Sequence, residues 1–420
     1  MRNPIPILGI SYGIAPDYPS AMAQQNADIP APPRTPDIAR KTSETALHAL
    51  AERCREEPLS ATHWTALGIV QEAAGLDPAR ARLRAVLLEP QDAGNLNDLG
   101  AADPSGMKAA LRLLVLDPLH GPATIMCALH AFGQERYIDA QRLLARLRLS
   151  DPANIEATFL LASSLEQEPP QAMAARLYRT SLVLAPEDPL GAGRALARLG
   201  AGPAEAAFPP AHVRMVFDGY AESFDTHLTG RLKYTAPETL LKLAHASGVA
   251  SSGSPVRTAI DIGCGTGLTG AVFRPHCRHL TGIDISGEMI RRADAKAIYD
   301  RLVTLEAVAF LRNDPALYEL AIAADVTSYI PDLPGFLSVV SAHLEEGGTL
   351  LLTALEPPAG TAPGLGPDGA YTHSLTGLEE AAFNAGLRVL KIERGAMREE
   401  AGQPLATLFL AFTKLRQTGV

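Results

Sequence analysis

Val256-Arg-Thr-Ala-Ile-Asp-Ile-Gly-Cys-Gly-Thr-Gly-Leu268, followed by Leu280-Thr-Gly-Ile-Asp-Ile-Ser286, decides how this 420-residue chain folds. An apolar run long enough for a buried strand stops at Asp261 and breaks into Gly263, Gly265 and Gly267. Beyond them Leu268, Val272 and Phe273 fall on one face of a helix. The pattern predicts strand, glycine turn, helix. A second apolar strand ends in a carboxylate, Asp284, about 20 positions after the first glycine. Glycines in a tight turn let main chain approach a ligand, and an acid at the next strand tip can accept hydrogen bonds from both hydroxyls of a ribose. A nucleoside cofactor fits there.

Two cofactors compete. Dinucleotide sites favour G-x-G-x-x-G, whose turn admits a pyrophosphate. Here the spacing is G-x-G-x-G with an acid two positions before the first glycine, which suits a ligand without phosphates, S-adenosylmethionine.

Asp261-Ile-Gly-Cys-Gly-Thr-Gly267 resembles the first motif of class I S-adenosylmethionine-dependent methyltransferases, and Gly282-Ile-Asp-Ile-Ser-Gly-Glu-Met289 the second. Tyr318-Glu-Leu-Ala-Ile-Ala-Ala-Asp325 is similar to that family's fourth strand, and Leu344-Glu-Glu-Gly-Gly-Thr-Leu-Leu-Leu352 to the turn and fifth strand. The resemblance runs from roughly Pro209 to Lys414. It implies an α/β, doubly wound, seven-stranded Rossmann-like domain over residues 206–420, preceded by an all-α helical-repeat domain.

The periodicity agrees. Strands are expected near 257–261, 280–284, 302–306, 318–324, 348–354, 387–392 and 405–413, separated by helices. The resemblance implies that the last strand runs antiparallel inside the sheet, beside the one containing Val389 and Leu390. Leu333, Phe336, Leu337, Val340 and Leu344 form an apolar stripe for the helix after strand four.

The resemblance also assigns cofactor contacts. Gly263, Cys264 and Gly265 would bring main chain to the methionine part, with Asp261 accepting from its amino group and Asp284 holding the ribose. Cys264 reads as a small space-filler rather than a nucleophile. Ile285 and Met289 would pack on adenine or simply belong to the core. Glu306 and the N–H of Ala307 would meet the adenine edge, although the family more often has Asp there. Ala324 and Asp325 would sit beside the methyl group, and Tyr329 would line the acceptor pocket.

Phe217-Asp-Gly-Tyr-Ala-Glu-Ser-Phe-Asp225 is similar to the helical lead-in of methyltransferases that carry repeats in front. Tyr220 is the lid candidate; Phe217 and Phe224, at helical spacing, are expected in the core. His227 and His373 are candidate general bases, weighed against ordinary structural histidines. Enzymes of this class acting on adenine or amide nitrogen share an Asn/Asp-Pro-Pro-aromatic step where this chain has Asp325-Val-Thr-Ser328, which disfavours those acceptors.

Residues 1–40 are a Pro/Ala/Gln mixture expected to be a disordered tail; an interrupted apolar stretch there, ahead of Ala21-Met-Ala23, makes a poor export signal. From 41 to 205 the pattern is helical, punctuated by Pro58, Pro90, Pro118, Pro152 and Pro186 at intervals near the ~34 residues of tetratricopeptide repeats, one of them shorter. Trp64, Leu67 and Gly68 match the start of such a repeat, and Ala140 and Ala174 fall at equal offsets before their closing prolines. The alternative is an irregular helical bundle. A helical groove implies a protein or peptide partner.

Net charge −9 and the absence of a dense basic run argue against nucleic acid. No segment has the ~18 uninterrupted apolar residues of a membrane span. Four scattered cysteines suggest no metal site or disulfide framework, and with them a cytoplasmic setting. The expected function is methyl transfer to an unidentified acceptor, with oxygen slightly favoured; the alternative is an interaction scaffold whose cofactor domain has lost turnover.

Overall fold

The computed structural model describes residues 37–57, 60–73, 81, 84, 110, 113–114, 117–167, 171–203, 207–249, 254–366, 369–400 and 402–416, with only the backbone at 37–45, 61, 68 and 72–73. These fall into two compact units that meet in sequence at Leu184 and Ala185. Most of the expected tail, residues 1–36 with the export-like step, and the repeat boundaries at Pro58 and Pro90 lie outside the described residues, while residues 37–40, expected to be tail, form the first turn of a helix.

In the N-terminal unit, α1 (Asp37–Glu56) and α2 (Ala61–Ala73) bring Cys54, Leu67 and Trp64 into one small cluster. Further on, α3 (Gly121–Gly133) and α4 (Tyr137–Ser150) lie between Pro118 and Pro152, and α5 (Ile155–Glu166) and α6 (Ala172–Leu184) between Pro152 and Pro186. Pro152 and Pro186 thus stand in the gap after the second helix of a pair, where the missing N–H costs nothing. Ala140 and Ala174 are both 0% exposed, so a larger side chain at either would force the paired helices apart. The buried Tyr178 on α6 hydrogen-bonds back to α5 through Ser163 Oγ (2.9 Å) and Glu166 Oε2 (2.8 Å).

The C-terminal unit opens with α7 (Ala192–Arg198) and α8 (Pro210–Tyr220), followed by α9 (Ala236–Ala246). The strands are β1 (Val256–Ile262), β2 (Cys277–Asp284), β3 (Arg301–Thr304), β4 (Tyr318–Ala323), β5 (Leu344–Leu355), the short pair β6 (Gly364–Leu365) and β7 (Tyr371–Thr372), then β8 (Leu387–Glu400) and β9 (Gln403–Lys414). Between them run α10 (Leu268–Phe273), α11 (Gly287–Ala295), α12 (Ala307–Asn313), α13 (Leu333–Ala342) and α14 (Leu375–Asn384).

Seven strands form one sheet in the order β3-β2-β1-β4-β5-β9-β8, parallel from β3 to β5 and antiparallel where β9 pairs with β5 and β8. β9 therefore lies inside the sheet, antiparallel to the strand carrying Val389, as the resemblance implied. Alternate residues serve opposite faces, which is why the strands read as continuous apolar runs. Ile260, Ile262, Ala321, Ala323, Leu350, Leu352, Leu408 and Leu410 meet α12, α13 and α14 on one side. Ala259, Leu320, Ile322, Leu351, Phe409 and Ala411 meet α9 and α10 on the other. Leu333, Phe336, Leu337 and Val340 are buried along α13 as the spacing predicts, whereas Leu344, also buried and expected in that helix, begins β5 because α13 ends at Ala342.

Several strand limits differ from expectation, with β2 and β5 beginning earlier, at Cys277 and Leu344. β3 stops at Thr304 because Glu306 turns to cap α12. β8 runs on to Glu400 past a register shift between Val389 and Lys391, which leaves Leu390 37% exposed as the extra residue of a bulge. That longer strand matters: Met397 and Glu399 pair by main chain with Thr235 and Leu232 (both 2.8 Å), fixing Arg398 between them at the rim of the sheet.

Candidate functional site

At the carboxyl end of β1 and β2 the chain makes a crevice from main chain and carboxylates. Gly263, Gly265 and Gly267 have φ of +65°, +54° and +92°, values L side chains rarely adopt. The turn is stapled to the neighbouring strand tip, since Cys264 N–H donates to the Ile283 carbonyl at 2.9 Å and Gly265 N–H to Asp284 Oδ2 at 2.9 Å. The other Asp284 oxygen accepts from Ser286 N–H at 2.8 Å. The Ile285 N–H is a third amide donor, which leaves the half-buried carboxylate one lone pair. Burial pushes the Asp284 carboxyl up while its three amide donors pull it back.

Asp261, 1% exposed, receives the Tyr299 hydroxyl on Oδ2 at 2.7 Å, whereas its buried Oδ1 has no hydrogen-bond partner. Burial raises its carboxyl to about 7, opposed by the Tyr299 hydrogen bond and reinforced by the charge of Asp284. A buried oxygen without a close partner is open to a further donor beside the Gly270 N–H, which already favours the ionised carboxylate. An amino group of a nucleoside cofactor fits it. The Cys264 thiol, pushed well up by burial, stays protonated, consistent with space-filling and not with nucleophilic chemistry.

Around this floor the other expected cofactor residues divide. Ile285 is half-buried at the crevice; Met289 is 0% exposed and belongs to the interior. Both oxygens of Glu306 accept from the first turn of α12, Val308 N–H at 3.0 Å and Ala309 N–H at 2.7 Å, so this carboxylate serves as a helix cap. The Ala307 N–H, earlier in that turn, is not among those it takes up. Ala324 is 8% exposed. Asp325 has φ +56°, held there by its N–H to Thr353 Oγ1 (2.7 Å) and by an ion pair with Arg398.

The mouth is aromatic. Phe217, Phe224, Tyr220 and Tyr329 pack edge to face in one row: Phe217 lies 5.3 Å from Tyr329 and 6.5 Å from Phe224, and Tyr220 lies 5.0 Å from Phe224. The expectation that Phe217 and Phe224 are core is corrected here. Both are half-buried, because α8 and the turn after it lie over the strand tips and present these rings to the crevice instead of to the sheet. Phe224 is the nearest side chain to the open side of Gly265, at 3.7 Å from where a Cβ would stand.

Tyr220 hydroxyl and His227 Nδ1 hydrogen-bond to each other. Burial raises the Tyr220 phenol to about 12 and lowers the His227 imidazole, which Arg231 lowers further, so both are neutral at pH 7. His373 Nε2 lies 3.2 Å from the Thr327 carbonyl, which can only accept; Nε2 therefore carries the proton and Nδ1 the lone pair, and burial keeps the ring neutral. The structure thus gathers Tyr220, His227 and Tyr329 in one row of contacts, with His373 held against the same Thr327–Tyr329 turn.

Several residues escape the sequence reading. Asp218 accepts from Ser286 Oγ at 2.6 Å, and Asp225 takes Lys296 Nζ at 2.7 Å and the Thr266 hydroxyl. These two acids of the repeated Phe-Asp step fasten the lead-in segment onto α11 and onto the glycine turn. The repetition itself, Phe217-Asp218 and Phe224-Asp225, was the available signal. Arg398 and Tyr299 had none beyond their presence in the chain. Among the described residues no group of three or more His, Cys, Asp or Glu side chains is placed to hold a metal ion, and no helix is long and apolar enough to cross a membrane.

Comparison with known proteins bears on this crevice directly. Residues 260–350 match the family model described as a methyltransferase domain. A search of the curated proteins found no match. Among solved structures, the chain is similar to the N-methyltransferase NodS from Bradyrhizobium japonicum WM9, with 19% identity over 43% of this chain and 94% of that one and a TM-score of 0.35. It is similar to magnesium protoporphyrin IX methyltransferase from Synechocystis PCC 6803, with 16% identity over 49% and 99% and a TM-score of 0.39. It is also similar to 1,6-didemethyltoxoflavin-N1-methyltransferase from Burkholderia thailandensis, with 19% identity over 49% and 88% and a TM-score of 0.40. The glycine turn, Asp261 and the strand-tip Asp284 all lie inside the span that matches a methyltransferase domain.

Proposed function

We propose that the enzyme transfers the methyl group to a small molecule or protein acceptor at the mouth bounded by Tyr220, His227, Tyr329 and His373, with an oxygen acceptor favoured over nitrogen. The observation that carries the reading is the pair of carboxylates, Asp261 with a buried oxygen lacking a close partner and Asp284 with a lone pair to spare, on either side of a turn of positive-φ glycines.

In this reading Asp261 takes the amino group of the donor, the main chain of Gly263, Cys264 and Gly265 lies along its methionine part, and Asp284 takes the ribose. Ile285 packs on adenine with Met289 behind it, the Ala307 N–H meets the adenine edge beside Glu306, and Ala324 and Asp325 flank the methyl position. Bound S-adenosylmethionine supplies a methyl group on a cationic sulfur, ready for in-line displacement. What the chain contributes is alignment and exclusion of water, worth several orders of magnitude together. The aromatic row, half-buried at Phe217, Tyr220 and Phe224 and exposed at Tyr329, lies over the strand tips and shields the reacting centre. Where the acceptor must lose a proton, neutral His373 offers Nδ1 and neutral His227 stands beside Tyr220; a carboxylate acceptor needs neither.

The helices over 41–205, read as tetratricopeptide-like, would engage a protein or peptide partner. Support for that reading is the pairing of helices between successive prolines and the two fully buried alanines at matching offsets.

Incubating the protein with isotopically labelled S-adenosylmethionine and cell lysate, then separating protein from small-molecule fractions, tests the transfer and reveals the acceptor class. Label in either fraction that depends on Asp284 supports the reading. Calorimetric titration showing that NAD binds and that S-adenosylmethionine and its product do not would overturn it.

A further inference from the structure

Three glycines around the crevice make room for a side chain and not for a ligand. A Cβ at Gly270 would land on the Tyr299 hydroxyl, one at Gly282 would stand 2.8 Å from Tyr299 Cε1, and one at Gly267 would stand 3.1 Å from Tyr299 Cε2. They come from the glycine turn, from α10 and from the middle of β2, so three separate elements are hollowed to admit one ring. At the end of that slot the Tyr299 hydroxyl reaches Asp261 Oδ2 at 2.7 Å, and the other Asp261 oxygen is left buried without a partner.

Resting on the methyl-donor reading above, we propose that Tyr299 is a positioning residue for donor binding. By holding Oδ2 it turns the Asp261 carboxylate and favours its ionised form, so that Oδ1 receives the α-ammonium group of S-adenosylmethionine. The charge balance requires such help. Asp261 sits among Asp284 at the tip of β2, Cys264 in the turn, Cys277 at the foot of β2 and Tyr234 ahead of α9. Burial raises both thiols and the Tyr234 phenol, which stay neutral; Asp284 is the anionic neighbour, and it opposes ionisation of Asp261. The Tyr299 hydroxyl, itself pushed up by burial, remains a donor throughout and opposes both burial and Asp284.

The test is calorimetric titration of S-adenosylhomocysteine from pH 6 to 8.5 into the wild type and Tyr299→Phe, which keeps the ring in its slot. Affinity of the variant should be about tenfold lower at pH 6, with the gap closing toward pH 8.5 as Asp261 ionises in both proteins. 5′-Methylthioadenosine, which lacks the amino acid part, should bind both proteins alike. An equal loss at every pH, or the same loss for methylthioadenosine, would reduce Tyr299 to packing and sink the proposal, as would unchanged affinity. Should Tyr299→Phe fail to fold, Asp261→Asn gives a second reading: its binding should lose the pH dependence of the wild type over this range, and retention of that dependence overturns the assignment. A wild type that binds homocysteine product at no pH takes down the donor reading itself; a binding wild type with an indistinguishable variant takes down only this one.

Discussion

The two sides of the crevice are built on different plans. The side proposed to hold the donor is main chain and strand-tip acids from one stretch of about 50 residues, bolted together by the Cys264 and Gly265 amides. The side proposed for the acceptor is side chains brought from the lead-in segment, the turn after β4, the stretch before α14 and the end of β8. A plan written in main chain tolerates little substitution and reads directly in sequence. One written in side chains from distant segments can be retuned one residue at a time, which is what a scaffold needs if its chemistry is fixed and its acceptors vary.

The largest effect should come from the main-chain plan. At Gly263 a Cβ would stand 2.5 Å from Val326 Cγ2 on a backbone with φ +65°. Gly263→Val is therefore expected to abolish detectable cofactor binding, a loss above a hundredfold by calorimetry, and to lower stability by about 2–3 kcal/mol. Near-wild-type affinity would mean the donor side is as adaptable as the mouth. Asp284→Ala should weaken cofactor affinity at least tenfold, about 1.4 kcal/mol; no change would move the ribose elsewhere.

Asp261 sharpens the comparison through pH. Its folded carboxyl is raised to about 7, so the native chain retains a proton that the unfolded chain releases near pH 4. The ligand-free protein therefore loses stability as pH rises from about 4 to about 7 and stays at the full deficit above that. Asp261→Asn should then stabilise the ligand-free protein at pH 8 by about 1 kcal/mol, judged by urea midpoints, and leave it unchanged near pH 4 while weakening cofactor binding. Destabilisation at pH 8 would show that the carboxylate is well satisfied without a ligand. The smallest effect belongs to the seam between the two plans. Lys296, whose side chain is 31% exposed, pairs with Asp225 at 2.7 Å, so Lys296→Ala should cost about twofold to threefold in cofactor affinity at low salt and nothing at high salt.

The donor side was legible because its signals are local: a glycine turn demands positive φ wherever it occurs, and an acid ending a buried strand needs a partner. The antiparallel insertion of β9 was reached through resemblance, since both faces of every inner strand are apolar and periodicity carries no direction. Phe217 and Phe224 were misplaced because helical spacing fixes which residues share a face, not what that face looks upon. Glu306 shows a similar limit: a carboxylate after a strand can meet a ligand or cap the next helix, and here both its oxygens cap α12. Tyr299 and Arg398 became visible only when the chain brought them beside Asp261 and Asp325.

The amides of Cys264 and Gly265 are bonded across to β2 before any ligand arrives. They should accordingly rank among the slowly exchanging hydrogens of the free protein, although they belong to a loop, a class of segment that usually trades its protons with deuterated solvent within seconds. A guest entering such a frame sacrifices little conformational freedom of the host, and its affinity reports its own fit.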